Sequence, residues 1–158
     1  MASFRQCSSV ACAFAALASG DARAFVFADG ATAQCIAAGQ PVTEVNGSPG
    51  SKVVQLGHTA TTERVGSGYR IVWNAKKLGE LPPAVHDLIF FHECAHAQVP
   101  TNDELRANCV GLKAMRAAGR GGFAIESKLA SFYGPDNPYW VKTLKCADTE
   151  APPAPASN

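Results

Sequence analysis

The chain has 158 residues, 47% of them hydrophobic and 17% charged, with 14 basic side chains against 13 acidic ones. That length and apolar content suit a single folded domain with a real core and exclude a fibrous or disordered chain. The near-neutral balance excludes the electrostatic footprint of a nucleic-acid binder or of a protein held to an acidic membrane surface.

The start of the chain, "MASFRQCSSVACAFAALASGDARAFVF", carries Arg5, an apolar run from Val10 to Ala18 and the small-x-small triplet Ala22, Arg23, Ala24. This is the pattern of a secretory signal peptide, predicted to span residues 1–24 with cleavage after Ala24. A buried N-terminal helix is the competing reading, and the missing polar face between Val10 and Ala18 counts against it. The run is too short to cross a bilayer, and no other segment is apolar enough for a membrane anchor. The expected location is therefore exported, periplasmic or secreted. Cleavage removes Arg5, Arg23 and Asp21 and leaves 12 basic against 12 acidic residues, with four cysteines: Cys35, Cys94, Cys109 and Cys146. An even number of cysteines in an exported chain predicts two disulfides, and all three pairings are open at this point.

From Phe25 to about Gly68 the sequence is rich in Gly, Thr, Val and Ser, with "VNGSPG" as a turn cluster between "PVTEV" and "SKVVQLG". Two short strands and loops are expected there. "YRIVWN", residues 69–74, sets Tyr69, Ile71 and Trp73 against Arg70, Val72 and Asn74, the alternation of a strand with two different faces. "LPPAVHDLIFFHECAHAQ" opens on two prolines that suit a helix start, and places Val85, Leu88, Ile89, His92 and His96 on one stripe at spacings of three and four. The helix should end near Gln98, because Pro100 cannot continue it. Thr101 is the expected N-cap of a second helix that runs to Gly119 and buries Leu105, Leu112 and Met115. A third helix is predicted from about Phe123 to Tyr133, with Ile125, Leu129 and Phe132 inward and Gly134 as its stop. The short segment "YWVKTLKC" leads to Cys146, and the Pro/Ala-rich tail, residues 147–158, is expected to be disordered.

The first and second predicted helices meet at "FFHECAHAQVPTNDELRANC", residues 90–109, which contains HExxH. Two histidines four apart stand one helical turn above each other, so both imidazoles can bind one ion from the same side. Glu93 points about a quarter-turn away, in reach of a water on that ion, which makes it the candidate general base. The pattern also occurs by chance, but here imidazoles and a carboxylate interrupt a Val, Leu and Ile stripe, and each would need another partner if no metal were bound. Cys94 lies about 200 degrees around the helix from His92 and so faces away from the metal side, as a disulfide or core thiol.

A catalytic zinc takes three protein ligands and keeps one position open. After His96 the candidates are Asp103, Glu104 and Cys109, Asn being a poor zinc ligand. Glu104 is preferred, because Glu104 and Asn108 stand at i and i+4, so that Asn108 can hold a ligating histidine by a hydrogen bond while Glu104 binds the metal. Asp103 is the reserve choice. Against Glu104 stands the capping-box pattern "TNDE", in which the same carboxylate would reach back to the Thr101 amide. Read together, His92, Glu93, His96, Glu104, Ala107 and Asn108 resemble the gluzincin group of zinc metallopeptidases, in which an HExxH helix is followed by a second helix with ExxAD or ExxAN-like text. The resemblance covers roughly residues 69–119. It departs in one respect: only seven residues separate His96 from Glu104, far fewer than in thermolysin-like enzymes, which implies a compact, minimal form of that core.

The resemblance implies a small α+β zincin-like domain over residues 25–146, with a short antiparallel or mixed sheet packed on the HExxH helix and two further helices. It implies one zinc ion and hydrolysis of a peptide or protein substrate, with Glu93 taking a proton from the attacking water and passing it to the leaving amine. The strand "YRIVWN" is then expected to pair with an extended peptide. Tyr69, Tyr133 and Tyr139 are unranked candidates for an oxyanion donor, while His58 and His86 read as surface residues. Two other readings compete: an exported zinc-binding or protein-interaction module without peptidase activity, and a metal-free disulfide-stabilised fold.

Overall fold

The computed structural model describes residues 24–149, so the expected signal peptide up to Arg23 and the tail from Glu150 lie outside the described residues. Two small antiparallel ribbons come first, β1 (Phe25–Val26) with β2 (Thr32–Ala33) and β3 (Ile36–Ala37) with β4 (Gln40–Pro41). β5 (Thr43–Asn46) covers most of "PVTEV", as expected for a strand. "SKVVQLG" is not a strand: after "VNGSPG" it forms one helical turn, α1 (Lys52–Gln55), that buries Val53 alone. The missing strand is the next segment, β6 (Ala60–Val65), which hairpins through Gly66, at φ 60°, into β7 (Gly68–Trp73). Only glycine takes that backbone conformation without a steric penalty in so tight a turn.

The three longer strands make one mixed sheet in the order β5-β7-β6, with β5 parallel to β7 and β6 antiparallel to it. This corrects the expectation that "YRIVWN" is open to a peptide. β7 is paired along both edges, which is why Ile71, Val72 and Trp73 are all buried, and the free edge next to the HExxH helix belongs to β6.

Helices follow: α2 (Ala75–Gly79), α3 (Pro83–Gln98), α4 (Glu104–Ala117), α5 (Phe123–Tyr133) and α6 (Pro138–Thr149). α3 is the expected HExxH helix. It is buried on most of its circumference, from Val85 and Leu88 to Phe90, Phe91, Cys94 and Ala97, because the sheet lies on one side and α4 and α5 on others. In α5 the inward residues are Ile125, Leu129 and Tyr133; Phe132, expected inside, is 49% exposed, and the Tyr133 ring stacks on Trp140 instead. Likewise Leu105 is only half-buried, so Ala107, Val110, Leu112 and Met115 carry the inner face of α4.

"YWVKTLKC" is part of a fourth long helix and not a connecting segment. Asn137 caps it through Oδ1, which accepts from the amides of Tyr139 (2.9 Å) and Trp140 (3.3 Å), and Pro138 occupies its first position. Trp140, Thr143 and Ala147 face inward at helical spacing, so α6 carries on to Thr149, past the boundary expected at Cys146. The result is a small α+β domain, as expected, with helices added at 52–55, 75–79 and 138–149.

Two disulfides fasten the layers. Cys35–Cys94 ties the loop before β3 to α3, and Cys109–Cys146 ties α4 to α6. They use all four cysteines that follow the expected cleavage point. Such bonds persist in oxidising compartments, and no helix among the described residues is long and apolar enough to cross a membrane.

Candidate metal centre

α3 and α4 touch closely enough to share one site. At Gly111 an added Cβ would lie 2.9 Å from the backbone of Phe91 and from the amide nitrogen of His92, so only glycine admits this approach. The linker between the helices, residues 99–103, is short, and Thr101 and Asp103 shape it. Asp103, not Thr101, caps α4: its Oδ1 accepts from the amides of Leu105 (2.9 Å) and Arg106 (3.2 Å). Thr101 serves differently, accepting through Oγ1 from the Asp103 amide (3.0 Å). With the cap supplied by Asp103, the Glu104 carboxylate is not drawn back into a capping box and turns to α3.

The structure brings His92, His96 and Glu104 together. Glu104 Oε2 lies 3.1 Å from His92 Nε2 and 3.6 Å from His96 Nε2, and the two Nε2 atoms are 3.2 Å apart. The outer nitrogen of each ring is engaged. His92 Nδ1 donates to the Asn108 amide oxygen (2.8 Å), and His96 Nδ1 donates to the carbonyl oxygen of Thr101 (2.8 Å). A carbonyl oxygen only accepts, so a neutral His96 imidazole carries its proton on Nδ1 and presents the Nε2 lone pair. The same holds for His92 opposite the Asn108 oxygen. Three acceptors therefore converge on one point, an arrangement that repels itself unless a cation sits between them. Burial, followed by the neighbouring His96, pushes the His92 imidazole below its ordinary value, which favours its neutral, metal-ligating form. The group can hold a metal ion, and it is the one His, Cys, Asp and Glu cluster of this kind among the described residues.

Glu93 stands beside the triad and not in it. Only 6% exposed, it is pushed above the ordinary carboxylate range by burial, and the hydrogen bond from Thr62 works in the opposite direction. Thr62 Oγ1 lies 2.7 Å from Glu93 Oε2 and 2.8 Å from the Glu93 carbonyl oxygen. The hydroxyl has one proton, so it can donate to an ionised carboxylate, or turn to the carbonyl and accept from a protonated one. Thr62 is the residue that sequence reasoning missed, since it lies 31 positions away on β6, a strand the local pattern did not show.

His92, Glu93, His96 and Glu104 floor a cleft of about 690 Å³. One wall is the free edge of β6 from Ala60 to Arg64, with Tyr69 and His58; the other is the linker from Pro100 to Asn102. His58, read from sequence as an ordinary surface residue, is exposed but lines this cleft, whereas His86 lies elsewhere, 3.0 Å from Asp87. The structure separates the three tyrosines. Tyr69 is on the cleft wall, Tyr133 is in the core on Trp140, and Tyr139 lies near Asn108 and Glu104, its phenol pushed up by burial and then by that carboxylate. Cys94 points away from the cleft into its disulfide, and Cys109 does the same on α4.

No known protein family, curated protein or solved structure matches the chain. The residues thus define an α+β domain with a His-His-Glu group able to take a metal ion, and the step from that class to an activity rests on the chemistry of the site alone.

Proposed function

We propose that the protein is an exported zinc metallopeptidase of compact gluzincin type. The observation that carries this reading is the convergence of three potential ligand atoms, from His92, His96 and Glu104, on the floor of a cleft that also holds a buried carboxyl group, Glu93. Two nitrogens and one carboxylate oxygen are a donor set suited to a catalytic zinc, and a zinc ion held there acidifies a bound water and polarises a substrate carbonyl.

The chain's own residues account for the rest. Asn108 and the Thr101 carbonyl fix both imidazoles in the tautomer that points Nε2 inward. Glu93 accepts the proton of the attacking water and, protonated, delivers it to the leaving amine; its raised affinity for a proton and the two-way Thr62 hydroxyl suit both halves of that cycle. The free edge of β6 offers backbone amides and carbonyls along the cleft, where an extended peptide can add as a further strand. Tyr69, on the same wall, and Tyr139, beside Glu104 and Asn108, are the tyrosines near the site that could donate to a developing oxyanion. Export fits the two disulfides and the signal-like start of the sequence.

The test is elemental analysis of the purified mature chain followed by a peptide-library digest. About one zinc per chain is expected, lost on Glu104→Ala and retained on Asp103→Ala. Glu93→Gln should retain the zinc and lose cleavage. Zinc without cleavage of any peptide would favour the metal-binding module, and no stoichiometric metal after reconstitution would overturn both readings.

A further inference from the structure

Glu44 belongs to the edge strand β5, yet it is only 2% exposed. It pairs in register with Ile71, and its side chain lies on the face that also carries Trp73. Glu44 Oε2 accepts from Trp73 Nε1 at 3.0 Å, while Oε1 is buried with no hydrogen-bond partner. Burial pushes this carboxyl up to about 7, opposed only by the Trp73 bond and by the Cys35 backbone amide, which lies outside good hydrogen-bond geometry; no charged side chain offsets it. A buried carboxylate with one oxygen unmet and no countercharge is costly. Something of opposite charge belongs beside it.

Glu44 lines a cavity of about 200 Å³ whose walls include Trp73, Leu78 and the first three described residues, Ala24, Phe25 and Val26. Phe25 is firmly placed there, its ring 5.0 Å from Trp73, 4.9 Å from His86 and 4.8 Å from Phe90. Ala24 is exposed. The Ala24–Phe25 peptide bond joins two residues that line the cavity, and it is the bond at which the Ala22-Arg23-Ala24 triplet predicts cleavage.

We propose that this cavity is the seat of the protein's own processed N-terminus, in which the Phe25 ammonium pairs with Glu44. An export peptidase adds one water across the Ala24–Phe25 amide, which leaves a carboxylate on Ala24 and an ammonium on Phe25. The uncut nitrogen is a neutral amide with one proton to donate, whereas the cut one has three and a full positive charge at neutral pH, since an α-amine titrates at about 7.7–8.0. It also requires no more room than the chain already fills. The other charges nearby are committed: His86 to Asp87, and Asp87 in turn to the Ala28 amide and to Arg120. A metal is a poor alternative, because Glu44 belongs to no group of three or more His, Cys, Asp and Glu side chains able to hold an ion among the described residues. Capture of a new amino terminus by a buried carboxylate would tie the start of the chain to the edge of the sheet only once the leader has gone.

The experiment compares chains beginning at Phe25 and at Ala24, each with Glu44 and with Glu44→Gln, and maps the N-terminus of the exported protein by mass spectrometry. The exported chain should begin at Phe25. At pH 6.5 the Phe25 chain should melt about 5 °C above the Ala24 chain, and the gap should fall to about 1 °C or less in the Glu44→Gln pair. An amine-directed acylating reagent should label the Phe25 amine at least about tenfold more slowly than the Ala24 amine, a comparison that needs no variant. An exported chain that starts elsewhere, equal melting of the two Glu44 chains, a gap that survives in Glu44→Gln, or equal labelling would each overturn the proposal.

Discussion

Two buried glutamates, Glu93 on α3 and Glu44 on β5, meet the same face of one sheet, where Glu44 and the Glu93 partner Thr62 both lie in register with Ile71, and their surroundings suit one side chain to two different uses. Both are pushed above the ordinary carboxylate range by burial, and each accepts one side-chain hydrogen bond, from Thr62 and from Trp73 respectively. Glu93 borders an open cleft, so its proton has somewhere to go. Glu44 borders a small, mainly apolar cavity and a donor that cannot take a proton back. Burial alone therefore does not make a base; access to a partner that exchanges protons does.

The contrast is sharpened most by removing the two carboxylates in turn. Glu93→Gln should lower peptide turnover by about 10²- to 10⁴-fold with metal content unchanged, whereas Glu44→Gln should leave turnover within a few-fold. Comparable losses from both variants would break the distinction. Next in size is Gly111→Ala, which forces α4 away from the Phe91–His92 backbone. It should cost about 1–3 kcal/mol of stability and weaken metal retention, because Glu104 and Asn108 ride on α4; calorimetry and elemental analysis of one preparation would show whether the two losses travel together. If stability falls and metal is retained, the close approach serves packing only.

Smaller effects test the hydrogen-bond partners. Thr62→Val removes the donor that favours ionised Glu93, so the acid limb of the kcat/KM pH profile should move to higher pH; an unmoved limb would mean that another group sets it. For Glu44 the sign follows from its folded value of about 7 against 4.5 for the free side chain. The folded state binds the proton more tightly, so the contribution to stability is fully present below pH 4.5 and is lost as pH rises to about 7. A chain in which Phe25 is still preceded by Ala24 should therefore gain melting temperature on acidification across that window, relative to its Glu44→Gln counterpart. The same difference measured on the chain beginning at Phe25 should be smaller, since a paired ammonium lowers the carboxyl again.

Much of the helical half was legible locally. α3 and α4 carry their own start and stop signals, and "HECAH" places its imidazoles by helix geometry alone, without knowledge of the fold. The N-terminal half was less so. "SKVVQLG" and "ATTERV" are both short, Val-containing stretches, and which becomes a strand depends on which one β7 pairs with. Similarly, α6 had a local marker in Asn137–Pro138, but its amphipathic face is meaningful only against α4, to which Cys146 is bonded.

What the sequence by itself determined is the pair of histidines one turn apart, the neighbouring glutamate and a downstream acidic candidate, because these follow from 3.6 residues per turn. Tertiary structure alone decided that Glu104 faces the imidazoles, that β6 and not β7 holds the free edge, that Thr62 reaches Glu93, and that Cys35 pairs with Cys94. The physical reason is range. Helix facing is set by residues within a turn or two, whereas strand order, disulfide partners and a donor 31 residues away are set by packing between segments that local sequence does not connect.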